Sequence, residues 1–168
     1  MSLLSTLLAT ILPTIHIYDG VKVGRETVRV VDVLGQTELK NIYTAVAEEI
    51  AKASKKSKKM LVEDRFSHLL ETFNTQLGTN YAPFEYHGHS SPEAVLVVFG
   101  TVEASLASQV ATKLSEEGAK VGIVNVRVYR PFLEDAFLGI LPNSTRAVSV
   151  LGQVQSQYAV IDKAVHSN

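Results

Sequence analysis

Two histidines separated by one residue are the most suggestive residues of this chain for chemistry. His87 and His89 flank Gly88, and imidazole nitrogens at this spacing could both bind a metal ion. A catalytic zinc normally has three protein ligands, and we count neither a nearby carboxylate nor a third histidine as a further ligand. We therefore prefer a polar turn between two strands as the interpretation of the motif.

A second place for chemistry is Gly100-Thr101, which follows the apolar run Ala94–Phe99. The carboxyl end of a parallel strand is where α/β folds bind ligands. A phosphate there would need a glycine-rich loop and the positive end of a helix, but the loop has one glycine and Glu103 would repel the anion. We predict instead that Thr101 caps the following helix. Ser149 lacks the glycine-flanked turn of a hydrolase nucleophile.

The third candidate is a set of side chains around Pro131, which cannot continue a strand. On an extended strand Arg127 and Tyr129 share one face, opposite Val126 and Val128. Tyrosine and arginine are common anchors of protein interfaces. The alternative is that Phe132 belongs to the core and Arg130 is merely solvated, and both interpretations stay open. The candidate interface consists of Arg127, Tyr129, Arg130 and Phe132.

Composition limits the possible functions. The 168 residues contain no cysteine, which excludes disulfides, thiolate metal sites and cysteine-ligated clusters from this chain. A net charge of −1 gives no general affinity for nucleic acid, and no apolar run approaches the ~20 residues that span a bilayer. The lysine-rich stretch 53–59 is interpreted as a solvated linker, with a basic patch for a phosphate-rich partner as the alternative. We expect a cytoplasmic protein without nucleic-acid or membrane partners.

The carboxyl-terminal half has the pattern of an α/β domain. Continuous runs of β-branched residues predict strands that are covered on both faces, as in parallel sheets, and stretches of helical length separate them. Leu106, Val110 and Leu114, at four-residue spacing, indicate the core-facing side of the first helix. The fold class is α/β, a three-layer α/β/α sandwich around a mostly parallel sheet, with an N-terminal helical arm. The predicted segments are strand 94–100, a helix from Thr101 to Gly118, strand 120–128, helix 133–141 and a buried strand 147–151.

The amino-terminal part is less regular. Residues 4–12 are predicted to be helical and Thr14–Tyr18 to be a strand, while 26–33 alternates in polarity. Amphipathic helices are predicted at 36–52 and 61–77. We predict three regions: 1–34 as the tail of a preceding α/β domain, 35–80 as a helical connecting arm, and 81–168 as the compact domain. The first residues are interpreted as a cloning remnant joined to the interior of a longer protein.

Several motifs together resemble a known family. Tyr81-x-Pro-Phe-Glu-Tyr-x-Gly88, Gly118-Ala-Lys-Val-Gly122, Asn125-Val-Arg-Val-Tyr-Arg-Pro-Phe132 and Val148-x-Val-Leu151 occur in this order. They are similar to the transketolase C-terminal-like domain of pyruvate:ferredoxin and related 2-oxoacid oxidoreductases. In the thiamine-dependent members the last strand is followed by an Asp-Arg pair. Here Gly152-Gln153 follows, which is more similar to the flavoprotein subunit of fungal-type NADPH sulfite reductase.

This resemblance implies three alternative functions. The preferred one is a non-catalytic assembly domain of an NADPH sulfite reductase flavoprotein subunit. The others are a segment of a thiamine-dependent 2-oxoacid oxidoreductase and a free-standing small-ligand-binding module. Asp19-Gly20 resembles the diphosphate-binding motif of thiamine enzymes, but no asparagine follows it and we interpret it as a turn.

The preferred alternative also implies cofactors and partners. No catalytic, cofactor-binding or metal residue is assigned within this chain, whereas the complete subunit is expected to bind FAD and NADPH. The expected partners are the other domains of the same polypeptide and the sulfite reductase hemoprotein subunit. Self-association through apolar surface around residues 4–18 is a further expectation.

Overall fold

The computed structural model describes residues 2–10, 12–18, 33–56 and 61–152, and the side chains of 53–56 are left out of the description. The chain divides into two compact units: residues 1–82 with 130–132, and residues 83–129 with 133–168. Among the described residues no helix is both long and apolar enough to cross a membrane. The region boundaries predicted at residues 34 and 80 stay predictions, and residues 19–32 lie outside the described part of the chain.

The first unit consists of three helices: α1 (Ser2–Leu8), α2 (Gln36–Lys56) and α3 (Val62–Leu77). Each helix has apolar side chains at three- and four-residue spacing, so that each presents one apolar face. Helix α3 ends where Gly78 adopts a left-handed conformation, with φ of 62°, and donates its N–H to the Asn74 carbonyl. The core of this unit contains Leu4, Leu7, Ile42, Val46, Phe66, Leu69, Leu70 and Phe73.

The second unit is a four-stranded sheet with two helices. In chain order the elements are β1 (Phe84–Gly88), β2 (Ala94–Val98), α4 (Thr101–Glu116), β3 (Val121–Val126), α5 (Glu134–Ile140) and β4 (Ala147–Val150). The strand order across the sheet is β1-β3-β2-β4. Strand β2 is parallel to both β3 and β4, whereas β1 is antiparallel to β3. The predicted α/β class with a mostly parallel sheet is confirmed.

The two helices lie on opposite faces of the sheet. Residues paired across neighbouring strands point to the same face, so the register sorts the side chains. The α4 face contains Leu96, Val98 and Ile123, which pack with Ala104 and Ala111 of helix α4. On the other face, here called the α5 face, Phe84 stacks edge-on with Phe137 of α5, with ring centres 5.3 Å apart. Val95, Val97, Val124, Val148 and Val150 share that face with Phe84.

Four predictions of local structure were wrong. Thr101 is the first residue of α4 rather than its cap, since Gly100 occupies the capping position and no side chain caps the helix. Residues 13–18 are irregular, and none of the described strands pairs with them. Strand β4 is exposed at all four positions instead of buried. The stripe of Leu106, Val110 and Leu114 also faces outward.

The outward stripe of α4 has a steric explanation. The side of the helix that packs on the sheet is made of small residues, Ala104, Ala107 and Ala111. With 3.6 residues per turn, positions 106, 110 and 114 are centred about a quarter turn around the helix from that side. Leu106 retains 61% of its accessible surface. The helix therefore has two adjoining apolar stripes, and the stripe with the smaller residues meets the sheet.

Candidate interface at the carboxyl end of strand β3

Arg127 lies just beyond the end of β3 and is held against strand β1. Its backbone N–H and that of Val128 both donate to the Pro83 carbonyl, at 2.9 and 3.2 Å. Its guanidinium donates from Nη2 to Oε2 of Glu85 over 2.6 Å, in a half-buried ion pair. Glu85 is paired in register with Asn125, so the antiparallel β1–β3 ladder brings it next to Arg127. Arg127 thus joins two strands of its own unit.

The other three candidate residues have different surroundings. The ring of Tyr129 lies 6.3 Å from that of Phe99 at a tilted angle, and 39% of Tyr129 remains exposed. Arg130 is exposed and Phe132 is half-buried, and both are grouped with the first compact unit, whereas Arg127 and Tyr129 belong to the second. The peptide bond between Arg130 and Pro131 is cis. Whether the four residues form an interface stays a prediction.

The two histidines do not form a symmetric pair. His87 lies within strand β1 rather than in a turn, and its Nε2 is 3.4 Å from Oε2 of Glu85. His89 follows the strand, and its Nδ1 accepts a hydrogen bond from the Ser91 N–H at 3.0 Å. Within the part of the chain that the structure describes, no group of three or more histidine, cysteine, aspartate or glutamate residues could hold a metal ion. His89 lies in the loop between β1 and β2, where a turn was predicted, whereas His87 lies within β1 and its placement in a turn was wrong.

Glu85 was missed in the sequence, although it stands two residues before His87. Its carboxylate contacts both Arg127 and His87. Alternation along a strand places residues 85 and 87 on the same face, which is the signal that could have drawn attention to Glu85. The link to Arg127 spans 42 residues and depends on the β1–β3 register.

A close contact between Tyr86 and Gly122 explains two of the motifs. A Cβ atom on Gly122 would overlap the Tyr86 hydroxyl and ring. The hydroxyl donates a 2.6 Å hydrogen bond to the His89 carbonyl, and burial raises the pKa of the Tyr86 phenol. Gly88 pairs directly with Gly122 and has φ of 124°. A Cβ on Gly88 would lie 2.6 Å from the Val121 carbonyl oxygen.

An exposed ion pair lies at the opposite end of the parallel strands. Lys120 Nζ donates to Glu93 Oε1 over 3.1 Å. This hydrogen bond, the charge of Lys120 and then the charge of Arg146 lower the pKa of the Glu93 carboxyl. The N–H groups of Arg146 and Ala147 donate to the Glu93 carbonyl at 2.9 and 3.1 Å. Glu93 therefore helps to join the starts of β2 and β4.

Comparison with known proteins finds sequence similarity to two groups of oxidoreductases. No family model matches the chain. It is 36% identical over 94 residues to a probable pyruvate-flavodoxin oxidoreductase of Escherichia coli, which is 56% of this chain and 8% of that protein. It is 30% identical over 159 residues to a probable sulfite reductase (NADPH) flavoprotein component of Schizosaccharomyces pombe, covering 93% of this chain and 14% of the relative.

A second fungal relative agrees with the first. The sulfite reductase (NADPH) flavoprotein component of Saccharomyces cerevisiae is 31% identical over 111 residues, covering 64% of this chain and 10% of the relative. In every case the chain spans only a small part of the relative's length. The chain is therefore related to a segment that occurs both in pyruvate-flavodoxin oxidoreductases and in NADPH sulfite reductase flavoprotein components, which gives it an oxidoreductase context.

Proposed function

We propose that this chain is a non-catalytic assembly domain of an NADPH sulfite reductase flavoprotein component. In the complete protein it would position neighbouring domains of the same polypeptide and the hemoprotein subunit. FAD and NADPH would be bound by other parts of that protein. The sequence of this chain has no dinucleotide-binding fingerprint, so no cofactor contact is assigned to its residues.

The observation that carries this proposal is the extent of the match. The Schizosaccharomyces pombe flavoprotein component aligns with 93% of the chain, whereas the Escherichia coli pyruvate-flavodoxin oxidoreductase aligns with 56%. A match over 159 residues has to include most of the first unit as well as the second. The alignment with the sulfite reductase relative therefore extends over the sequences of both units.

The surface of the second unit supports an assembly role. The outward side of α4 exposes Leu106, Val110 and Leu114, and Tyr129 of the candidate interface is exposed as well. Contiguous apolar surface of this kind usually marks a place where another protein surface packs. Aromatic and arginine side chains are frequent at the centres of such interfaces.

A second function remains a candidate because of sequence identity. The pyruvate-flavodoxin oxidoreductase match has the higher identity, 36% against 30%, over its shorter range. If the chain belonged to such an enzyme, thiamine diphosphate would be the relevant cofactor. We expect no saturable binding of thiamine diphosphate with magnesium to this chain. Calorimetric binding tighter than roughly 100 μM, about −5.5 kcal/mol, would favour the second function.

The proposal is tested by changing Arg130 in the complete flavoprotein component. Arg130→Ala should weaken co-purification with the hemoprotein subunit, or slow electron transfer to it. The free energy of unfolding should change by no more than about 0.5 kcal/mol, as for other surface substitutions. Arg146→Ala is a matched control, since Arg146 is also an exposed arginine. An Arg130→Ala protein that assembles and turns over normally but melts earlier would show that Arg130 serves folding instead.

A further inference from the structure

The outward stripe of helix α4 has a glutamate at each of its ends. Its apolar residues Leu106, Val110 and Leu114 keep 61%, 48% and 39% of their surface exposed. Glu103 comes three residues before the stripe and Glu117 three residues after it, and both are exposed. With about 3.6 residues per turn, all five residues fall within about 80° of the helix circumference. Together they form one exposed surface, here called the acid-ended seam, which is apolar in the middle and acidic at both ends.

The stability of the helix explains only one of these two charges. Glu103 is in the first turn of α4, where the positive end of the helix dipole stabilises a carboxylate. Glu117 is at the C-cap, where the dipole disfavours a negative charge. Lys113 stands one turn before Glu117, but among the described residues no ion pair includes either carboxylate of the seam. Glu117 therefore has a charge that the helix itself does not need.

The two charges also decide which occupant fits the seam. Its residues are spaced by three, four, four and three, so two copies of α4 could align antiparallel with Val110 facing Val110. That alignment would place Glu103 of each copy opposite Glu117 of the other, and a parallel alignment would place each glutamate opposite itself. Like charges across an interface oppose association, so the seam does not fit a second copy. The anionic surface of a membrane is disfavoured for the same reason.

We propose that the acid-ended seam binds an amphipathic helix of another protein surface, one with an apolar stripe and a lysine or arginine near each end of it. Helices that dock through one apolar face do so with anchors at three- and four-residue spacing, which is the spacing of the seam. Glu103 and Glu117 are 14 residues apart, about 21 Å along a helix, and the two basic residues of the partner should be separated by about the same distance. This inference rests on the proposed function, because an assembly role supplies such a partner.

Two synthetic peptides test this chemistry with the full chain. The basic-ended peptide has the pattern Lys-x-x-Leu-x-x-x-Leu-x-x-x-Leu-x-x-Lys in a neutral, helix-forming background, and the acid-ended peptide has glutamate in place of both lysines. In a titration followed by nuclear magnetic resonance, the basic-ended peptide should bind at least about fivefold more tightly, because two exposed ion pairs replace two contacts between like charges.

Variants of the chain show whether the seam is the surface that binds. Glu117→Gln should weaken binding of the basic-ended peptide about two- to fivefold, the range expected for one exposed ion pair. Glu116→Gln is the matched control, because Glu116 is also exposed but lies about a third of a turn away from the seam's centre line. It should leave the affinity unchanged. Val110→Ser should weaken binding of both peptides.

Equal affinity for the two peptides, tighter binding of the acid-ended one, binding of neither, or an equal effect of Glu116→Gln would overturn the inference. A dimer of the chain that Val110→Lys dissociates would also overturn it, because a second copy would then be the occupant. If Arg130→Ala leaves assembly of the complete protein intact while the peptides bind selectively, the proposed function fails and the chemistry of the seam stands. If Arg130→Ala weakens assembly and the peptides bind equally, the inference about the seam fails alone.

Discussion

Tyr86 lies across Gly122, with its ring in the space that a side chain at position 122 would occupy. The two residues are on neighbouring strands, where Tyr86 pairs with Val124 and Gly122 pairs with Gly88. The glycine makes room for the aromatic ring, and the hydroxyl beyond it bonds to the His89 carbonyl. A motif glycine and a motif tyrosine thus depend on each other for packing.

We predict that Gly122→Ala destabilises the second unit by about 1–3 kcal/mol, the usual cost of overpacking a buried site. The three atoms nearest the new methyl group all belong to Tyr86, so the cost should be much smaller in a Tyr86→Ala background. Chemical denaturation of the four proteins of this double-mutant cycle measures the coupling. Equal costs in both backgrounds would show that something other than the ring occupies the space.

Gly88→Ala should also be destabilising, by more than about 1 kcal/mol, because its φ of 124° is unfavourable for a residue with a side chain. Here the obstacle is the Val121 carbonyl oxygen and the Gly122 backbone. Tyr86→Ala should therefore give no relief at this position, which makes Gly88→Ala the control for the previous cycle. Relief by Tyr86→Ala would indicate a register different from the one described.

The half-buried pair of Glu85 and Arg127 should contribute modestly to stability. We expect Arg127→Met and Glu85→Gln each to cost about 1 kcal/mol of unfolding free energy, near the upper end for partly exposed ion pairs. The double variant should cost less than the sum of the two single changes. Strict additivity, measured by denaturation, would mean that Arg127 acts elsewhere, for example at an intermolecular interface, as the sequence predicted.

The lowered pKa of Glu93 gives a test in acid. Because the folded state has the lower pKa, its contribution to stability is complete above the ordinary value of 4.5 and is lost as the pH falls through the folded-state pKa. Lys120→Met should move the pKa of Glu93 upward, and Arg146→Gln should move it less, in the order of the causes. Titration of the Glu93 side-chain carbon by nuclear magnetic resonance measures both shifts. A larger effect from Arg146→Gln would mean that Arg146, rather than Lys120, is the main cause of the lowered pKa.

Much of the fold could be predicted because local signals mark where elements end. Gly78 and Gly118 stand after helices, and Pro131 and Pro142 stand where the chain leaves regular structure. Burial was harder to predict. Helix α4 has two apolar sides, and hydropathy favours the one with leucine, although alanine permits the closer approach to the sheet. The exposure of β4 depends on what lies beside the strand, which its own residues do not specify.

The candidate site was less predictable than the fold. Arg127 and Tyr129 were recognised as a pair from strand alternation, but β3 ends at Val126, so the two residues are no longer governed by that alternation. Their partners are Glu85 of β1 and Phe99, which follows β2. Such long-range contacts follow from the order of the strands in the sheet and from their register. Neither of these can be predicted from the residue pattern of a single strand.

The two-sided composition of α4 reverses the usual relation between residue size and tolerance to mutation. Ala104 and Ala111 are buried against the sheet, so enlarging either would force the helix away from it. Leu106 and Val110 are exposed, and replacing them with serine or lysine should barely change the melting of this chain. In a saturation library of the isolated chain, the alanines of this helix would be the selective positions and the leucines the permissive ones. In the complete protein, the leucines should become selective as well wherever another surface covers them.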